Sequence, residues 1–136
     1  MSLLESQTES SCTYKDMMDF KVFIIHVKGN KPGELHIKNE AAKNDLTYDL
    51  VLEGNIEDLT TNKLEKYFKG SLLSPSPTSS CAYKHFMVYE KMVENSYPYA
   101  LVMEDDIRLL ESFNRCFKET IKEIVTDKLE NFIISY

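Results

Sequence analysis

The sequence predicts an α/β domain with a mostly parallel sheet flanked by helices. Three apolar segments of strand length, at residues 20–27, 47–53 and 99–103, alternate with segments of helical periodicity. Continuous apolar runs are typical of strands that helices cover on both faces. The alternation of strand and helix favours the same architecture. A fourth strand is predicted at residues 132–134, and because no helix follows it we expect the fold to be incomplete at this end.

Composition indicates one globular domain. Of the 136 residues, 43% are hydrophobic and 28% are charged, which argues against disorder. The net charge of −6, with scattered Lys and Arg, argues against a nucleic-acid-binding face. We expect residues 1–18 to be a tail and residues 19–136 to form the domain. The chain opens without the pattern of a signal peptide, so a cytoplasmic location is the expectation.

Helices are predicted where apolar residues recur at helical spacing. The predicted ranges are 34–45, a helix beginning at Ile56 with Asn55 as its cap, 81–95, and 111–127. The helix at 81–95 carries a wide apolar face that includes Val88, Tyr89 and Val93. Residues 28–33 and 73–80, rich in Gly, Pro, Lys and Ser, are predicted loops.

Three consecutive carboxylates, Glu104, Asp105 and Asp106, follow the strand at 99–103. Like charges at the end of a buried strand repel one another unless a cation lies among them. Their hard oxygen ligands suit Mg²⁺ or Mn²⁺, and ligands of open α/β sheets bind at the carboxyl ends of the strands. The alternative is a solvated acidic turn.

The helix at 81–95 places Cys81 and His85 on one face, because they are four residues apart. That face is apolar, whereas a reactive thiolate needs an electropositive, exposed setting. A structural histidine tied to a strand end is therefore favoured over a base, a nucleophile pair or metal ligands. The three cysteines, Cys12, Cys81 and Cys116, form no CxxC pair, which indicates free thiols.

Three segments, at 81–85 (Cys-Ala-Tyr-Lys-His), 89–94 and 98–107, carry a family resemblance. The last of them contains Leu101-Val-Met-Glu-Asp-Asp106. In order and spacing they resemble glycosyltransferase family 25, the lipooligosaccharide galactosyltransferase-like enzymes of bacterial surface-glycan synthesis. The resemblance implies a GT-A-like fold and an inverting, metal-dependent transfer of a hexose, galactose above all, from a UDP-sugar to a lipopolysaccharide or lipooligosaccharide acceptor. It leaves open a peripheral contact with the inner membrane.

The resemblance also implies roles for individual residues. Asp106 would be the most direct ligand of Mn²⁺ or Mg²⁺, Glu104 a second ligand or a ribose contact, and Asp105 an orienting residue or ligand. His85 would steady the acidic segment from the preceding helix. The exit of the first strand would border the uracil and ribose, and its implied nucleotide-sugar contacts are His26, Val27, Lys28 and Asn30.

The sequence departs from the family pattern after the first strand, where residues 25–33 contain no Arg. Ser80 replaces a Gly before the helix Cys, and Lys84 replaces a Ser before the His. Lys28, Lys31 and Lys84 are the candidates to replace the lost positive charge. The general base, and the acceptor pocket, are expected in a later half of the family's chain that these 136 residues do not contain, so the isolated piece could be inactive.

Two other classes of function stay open. One is a transferase-like binding or scaffold domain that has lost its chemistry. The other is a metal-dependent receiver or phosphotransfer domain, in which an acidic pair follows the first strand. The first strand here ends in His26 and Val27, which argues against the receiver class.

Overall fold

The computed structural model of the chain describes residues 20–128 and residue 133. The predicted tail at 1–18 lies outside the described residues, as does the predicted strand at 132–134 apart from Ile133. The strands are β1 (Phe20–Ile25), β2 (Asp49–Val51) and β3 (Tyr99–Glu104). The helices are α1 (Lys31–Lys43), α2 (Thr61–Glu65), α3 (Pro77–Asn95) and α4 (Phe113–Asp127), with 3₁₀ turns at Ile56–Asp58 and Gly70–Leu73.

The three strands form one sheet in the order β2-β1-β3. β1 runs parallel to β2, with Phe23 opposite Asp49 and Ile25 opposite Val51. The predicted α/β class with a parallel sheet flanked by helices is confirmed. Because β1 is the central strand, the groups that follow it lie between those that follow β2 and β3.

Alternate residues of β1 point to opposite faces of the sheet, and each face has its own apolar cluster. On one face Phe23 and Ile25 pack with Val51 of β2 and Val88 of α3. On the other face Val22 and Ile24 pack with Ile37 of α1. Covering on both faces explains why β1 is an uninterrupted apolar run.

Helix α1 begins at Lys31, three residues before the predicted start at Glu34. The Asn30 side chain caps it by accepting a hydrogen bond from the Gly33 amide at 3.2 Å. Pro32 lies in the first turn, where its missing N–H costs nothing. The prediction that residues 28–33 form a loop is therefore wrong for Lys31, Pro32 and Gly33.

The predicted helix from Ile56 is also wrong, because a 3₁₀ turn at Ile56–Asp58 precedes the short helix α2. Thr60 caps α2 by accepting a hydrogen bond from the Lys63 amide at 3.2 Å. Asn55 makes no side-chain cap bond. Its buried side chain accepts instead from the Lys84 ammonium at 2.8 Å.

Helix α3 begins at Pro77, four residues before the predicted start, with a capping box formed by Ser76 and Ser79. Its buried side runs through Ser80, Lys84 and Val88. Val93 is 81% exposed and Tyr89 is 42% exposed, so the predicted wide apolar face is wrong at both. The first turns of α3 bury polar groups because they contact the loops at the carboxyl ends of β1 and β2.

The chain divides into two compact units. Lys21–Arg108 form one, and the described residues from Leu109 onward, with Phe20, belong to the other. In the second unit α4 buries Phe117, Ile121 and Ile124, which belong to the predicted inward face, and the Phe117 ring meets that of Phe20 edge-on at 5.7 Å. Among the described helices of both units, none is long and apolar enough to cross a membrane.

Candidate functional site

The exit of β1 and the acidic segment after β3 meet at the carboxyl edge of the sheet. His26 is 3% exposed, and its Nδ1 lies 2.6 Å from the Asp105 carboxylate. Because an ionised carboxylate only accepts hydrogen bonds, the His26 ring donates through Nδ1. The Asn30 side-chain amide donates to the same Asp105 oxygen at 3.4 Å. Two segments that the sequence singles out separately are therefore in direct contact.

The three acidic side chains point in different directions. Glu104 and Asp106 are exposed, whereas the Asp105 side chain is 17% exposed and bound to His26. Among the described residues, the carboxylates of Glu104, Asp105 and Asp106 do not form one compact ligand group. Of the two roles implied for Asp105, the contact with His26 and Asn30 matches the orienting one.

Gly33 allows α1 to approach the acidic segment. A Cβ atom at this position would lie 2.5 Å from the Asn30 amide nitrogen and 2.7 Å from the Asp105 carboxylate. Both distances are shorter than van der Waals contact, so only glycine fits without moving its neighbours. Further along α1, His36 Nε2 donates to the Ile107 carbonyl at 2.6 Å. Helix α1 therefore holds the acidic segment both at Asp105 and directly after it.

Cys81 and His85 of α3 lie beside Glu104. One ligand atom from each of the three residues lies within 4.8 Å of the other two. The Cys81 thiol donates to the Glu104 carboxylate at 3.7 Å. The sequence predicts Cys81 and His85 on an apolar face and His85 near the acidic segment. The structure places His85 next to Glu104, and it adds Cys81, which the resemblance left without a role.

The other implied nucleotide contacts lie on the surface. Val27 is 54% exposed, and Lys28 and Asn30 are exposed in the turn between β1 and α1. The Val27 carbonyl closes that turn by accepting a hydrogen bond from the main-chain N–H of Asn30 at 3.0 Å. Lys31, in the first turn of α1, is exposed as well. Of these residues, Asn30 contacts the acidic segment directly, through its hydrogen bond to Asp105.

A family comparison decides what class of protein carries this site. The model for glycosyltransferase family 25, described as LPS biosynthesis protein, matches residues 19–136. The chain belongs to glycosyltransferase family 25. No curated protein matches it. Membership makes the chain a glycosyltransferase of lipopolysaccharide biosynthesis, with a sugar donor and a glycan acceptor.

Lys84 has a structural role in this family 25 chain. It is 1% exposed, and its ammonium donates to the His26 carbonyl, to Asn55 Oδ1 at 2.8 Å and to the Leu52 carbonyl at 3.4 Å. Burial lowers the pKa of Lys84, although nearby carboxylates oppose the change. The prediction that Lys84 could supply a charge to the nucleotide is wrong, because protein oxygens occupy its donors. The spacing of Ser80, Lys84 and Val88 was the one available indication of its burial.

The environment of the Cys81 thiol in this family 25 site disfavours its thiolate form. Burial raises its pKa first, and the charge of Glu104 raises it further. We expect Cys81 to alkylate more slowly than the exposed Cys116, because the thiolate is the reacting form. Below the pKa the Cys81 rate should rise about tenfold per pH unit, as the thiolate fraction does. Site-resolved mass spectrometry of iodoacetamide adducts measures both rates.

The variant Glu104→Gln removes one cause of the raised pKa, so Cys81 should react faster in it at a given pH. Glu94→Gln, at the exposed far end of α3, is the matched control and should leave the rate unchanged. A Cys81 rate that Glu104→Gln does not increase would contradict the contact between the thiol and this carboxylate.

Proposed function

We propose that this chain binds the UDP-sugar donor, UDP-galactose, of an inverting hexosyl transfer to a lipopolysaccharide or lipooligosaccharide acceptor. The observation that carries the proposal is the contact of Asp105 with His26 and Asn30. It places the acidic segment against the implied nucleotide-binding turn, at the edge of the sheet where open α/β proteins bind ligands. A GT-A-like arrangement and a cytoplasmic location, with or without peripheral contact with the inner membrane, belong to the same proposal.

Glu104 and Asp106 fit a hard divalent cation. Both are exposed carboxylates within two residues of the end of β3, and Asp105 between them is held by His26. Oxygen ligands of this kind suit Mn²⁺ or Mg²⁺. Phosphate oxygens and water would supply the remaining ligands of the ion. When bound, such a cation neutralises charge that develops on the departing diphosphate. In this proposal Glu104 and Asp106 are the ligands and Asp105 orients the segment.

The turn between β1 and α1 would hold the nucleoside and part of the diphosphate charge. Lys28 and Lys31 are exposed on this turn and supply positive charge in the place of the missing Arg. Asn30 and Gly33 lie at the beginning of α1, where the helix dipole favours anions. His26 lies beneath the turn and fixes its distance from the acidic segment. The general base for the acceptor hydroxyl is not assigned to any of these residues.

The test is thermal unfolding of the chain with UDP and Mn²⁺, added separately and together. If the cation bridges protein and diphosphate, the two ligands together should stabilise the fold by more than the sum of their separate effects. With the joint ligand at a hundred times its dissociation constant, the gain is about 2.7 kcal/mol. UDP-galactose and UDP-glucose in competition with UDP then test the choice of hexose. No joint stabilisation would favour the scaffold alternative.

A further inference from the structure

A second cluster of ligand-type side chains lies on the α3 side of Glu104, away from Asp105. It consists of Cys81 and His85, one helical turn apart on α3, and Glu104 at the end of β3. The proposed Mn²⁺ site uses neither the thiol nor the imidazole. We propose that Cys81, His85 and Glu104 form a binding site for a thiophilic divalent cation of the Zn²⁺ type. This inference does not rest on the proposed donor function.

The donor set fits such an ion. Thiolate, imidazole and carboxylate are the ligands of zinc, with bond lengths of about 2.0–2.3 Å. Ligand atoms in a tetrahedral site of this size are roughly 3.5 Å apart, as those bond lengths require. The Cys81 sulfur and the Glu104 oxygen are 3.7 Å apart, and all three ligand atoms lie within 4.8 Å of one another. Small side-chain rotations therefore close the site while α3 and β3 stay in place.

The fourth coordination position would open toward a hollow on α3. Pro77, Thr78, Cys81, Ala82 and His85 line this hollow, whose volume is about 450 Å³. Zinc sites with three protein ligands keep the fourth position open for water or substrate, whereas structural sites have four protein ligands. Water or a small anion could reach the ion from this side.

The electrostatic setting favours a cation over a reactive thiol. The Glu104 carboxylate lies 3.7 Å from the Cys81 sulfur, and the Asp106 carboxylate follows two positions later and is exposed. The same negative charge attracts a divalent ion, which then displaces the thiol proton as it binds. A hard ion such as Mn²⁺ prefers the oxygens of Glu104 and Asp106, whereas a softer ion is drawn to the sulfur and imidazole. Because both sites use Glu104, the two ions should exclude one another.

The experiment uses Co²⁺, whose bond to a thiolate gives a charge-transfer absorption band. In a Cys12→Ser/Cys116→Ser background, Cys81 is the one remaining cysteine of the three. Titration of that protein should give the band at one Co²⁺ per chain, and Zn²⁺ should abolish it by competition. Cys81→Ser should eliminate the band. His85→Ala and Glu104→Gln should each weaken Co²⁺ binding by more than about a hundredfold, since even outer partners of metal ligands are worth ten- to a hundredfold.

Two further variants separate this site from the donor site. Asp106→Ala should keep the Co²⁺ band, and Cys81→Ser should keep the joint stabilisation by UDP and Mn²⁺. Circular dichroism of each variant establishes that it is folded. If UDP and Mn²⁺ give no joint stabilisation, the donor proposal fails. The Cys81 site is then still decided by the Co²⁺–thiolate band. No band in the background protein, a band that survives Cys81→Ser, or Co²⁺ affinity that Glu104→Gln leaves unchanged would overturn the proposal.

Discussion

Replacing Asp106 with alanine is expected to weaken the Mn²⁺-dependent binding of UDP by about a hundredfold, which corresponds to about 2.7 kcal/mol. Asp106 is exposed and its two neighbours have other contacts, Glu104 with Cys81 and Asp105 with His26. Removing it leaves the cation one protein ligand fewer, and metal stabilisation of phosphate charge amounts to several kcal/mol. Under conditions that stabilise the wild type by about 2.7 kcal/mol, the variant should keep about 0.4 kcal/mol. Thermal unfolding with both ligands measures the difference.

Asp49→Ala is the matched control for this variant. Asp49 is exposed and is the first residue of β2, at the opposite edge of the sheet, where it forms an ion pair with Lys21 at 3.7 Å. Surface pairs of this kind contribute little, so Asp49→Ala should keep the full joint stabilisation. If Asp106→Ala keeps it as well, the assignment of Asp106 as a metal ligand is wrong.

Lys84→Met is expected to lower the free energy of unfolding by about 2–4 kcal/mol. Methionine matches the length of lysine but donates no hydrogen bond. The His26 carbonyl and Asn55 Oδ1, on two buried residues, would lose their donor, and an unsatisfied buried acceptor costs about 1–3 kcal/mol. Part of that cost is offset because the variant no longer buries a charge. Urea denaturation followed by circular dichroism measures the change.

Lys91→Met is the control on the same helix. Lys91 is 39% exposed and pairs with Glu53 at 3.5 Å, so its loss should change stability by less than about 0.5 kcal/mol. Equal effects of the two variants would mean that the Lys84 contacts contribute no more than a surface pair does.

The contribution of Lys84 to the free energy of unfolding also depends on pH. Burial lowers the pKa of Lys84 below the 10.5 of the unfolded chain, so between these pKa values the unfolded state binds more protons. Stability linked to this group therefore increases as pH rises toward 10.5 and is lost as pH falls through the folded pKa. Lys84→Met lacks this dependence, so the stability of the wild type relative to the variant should rise with pH in the alkaline range.

Local sequence patterns predicted the strands because burial on both faces leaves a run of apolar residues. β1 and β2 lie within the predicted segments, and β3 extends one residue beyond its segment, to Glu104. The acidic segment and the turn after β1 were also identified, since chain order alone places them at carboxyl ends of strands. The predicted start of α1 is wrong because the Gly, Pro and Lys of residues 28–33 indicate a loop, whereas Pro32 in the first turn is compatible with the helix.

The remaining features depend on contacts between distant segments. Lys84 gave no local indication that its ammonium would reach carbonyls 58 and 32 positions earlier. The approach of Cys81 to Glu104 likewise requires α3 and the end of β3 to be placed together. The orientation of the Asp105 carboxylate could not be predicted either, because its partner, His26, lies 79 residues earlier in the chain.

The anchoring of Asp105 and of the Ile107 carbonyl by His26 and His36 affects how this edge of the sheet responds to an arriving ion. Hydrogen bonds hold the main chain at both positions, so in the proposed Mn²⁺ site only the side chains of Glu104 and Asp106 would have to give up rotational freedom on coordinating the ion. Ordering two side chains costs far less than ordering a loop, which leaves more of the coordination energy as affinity. A substitution that freed Asp105 would therefore weaken ion binding entropically even though both coordinating carboxylates remained.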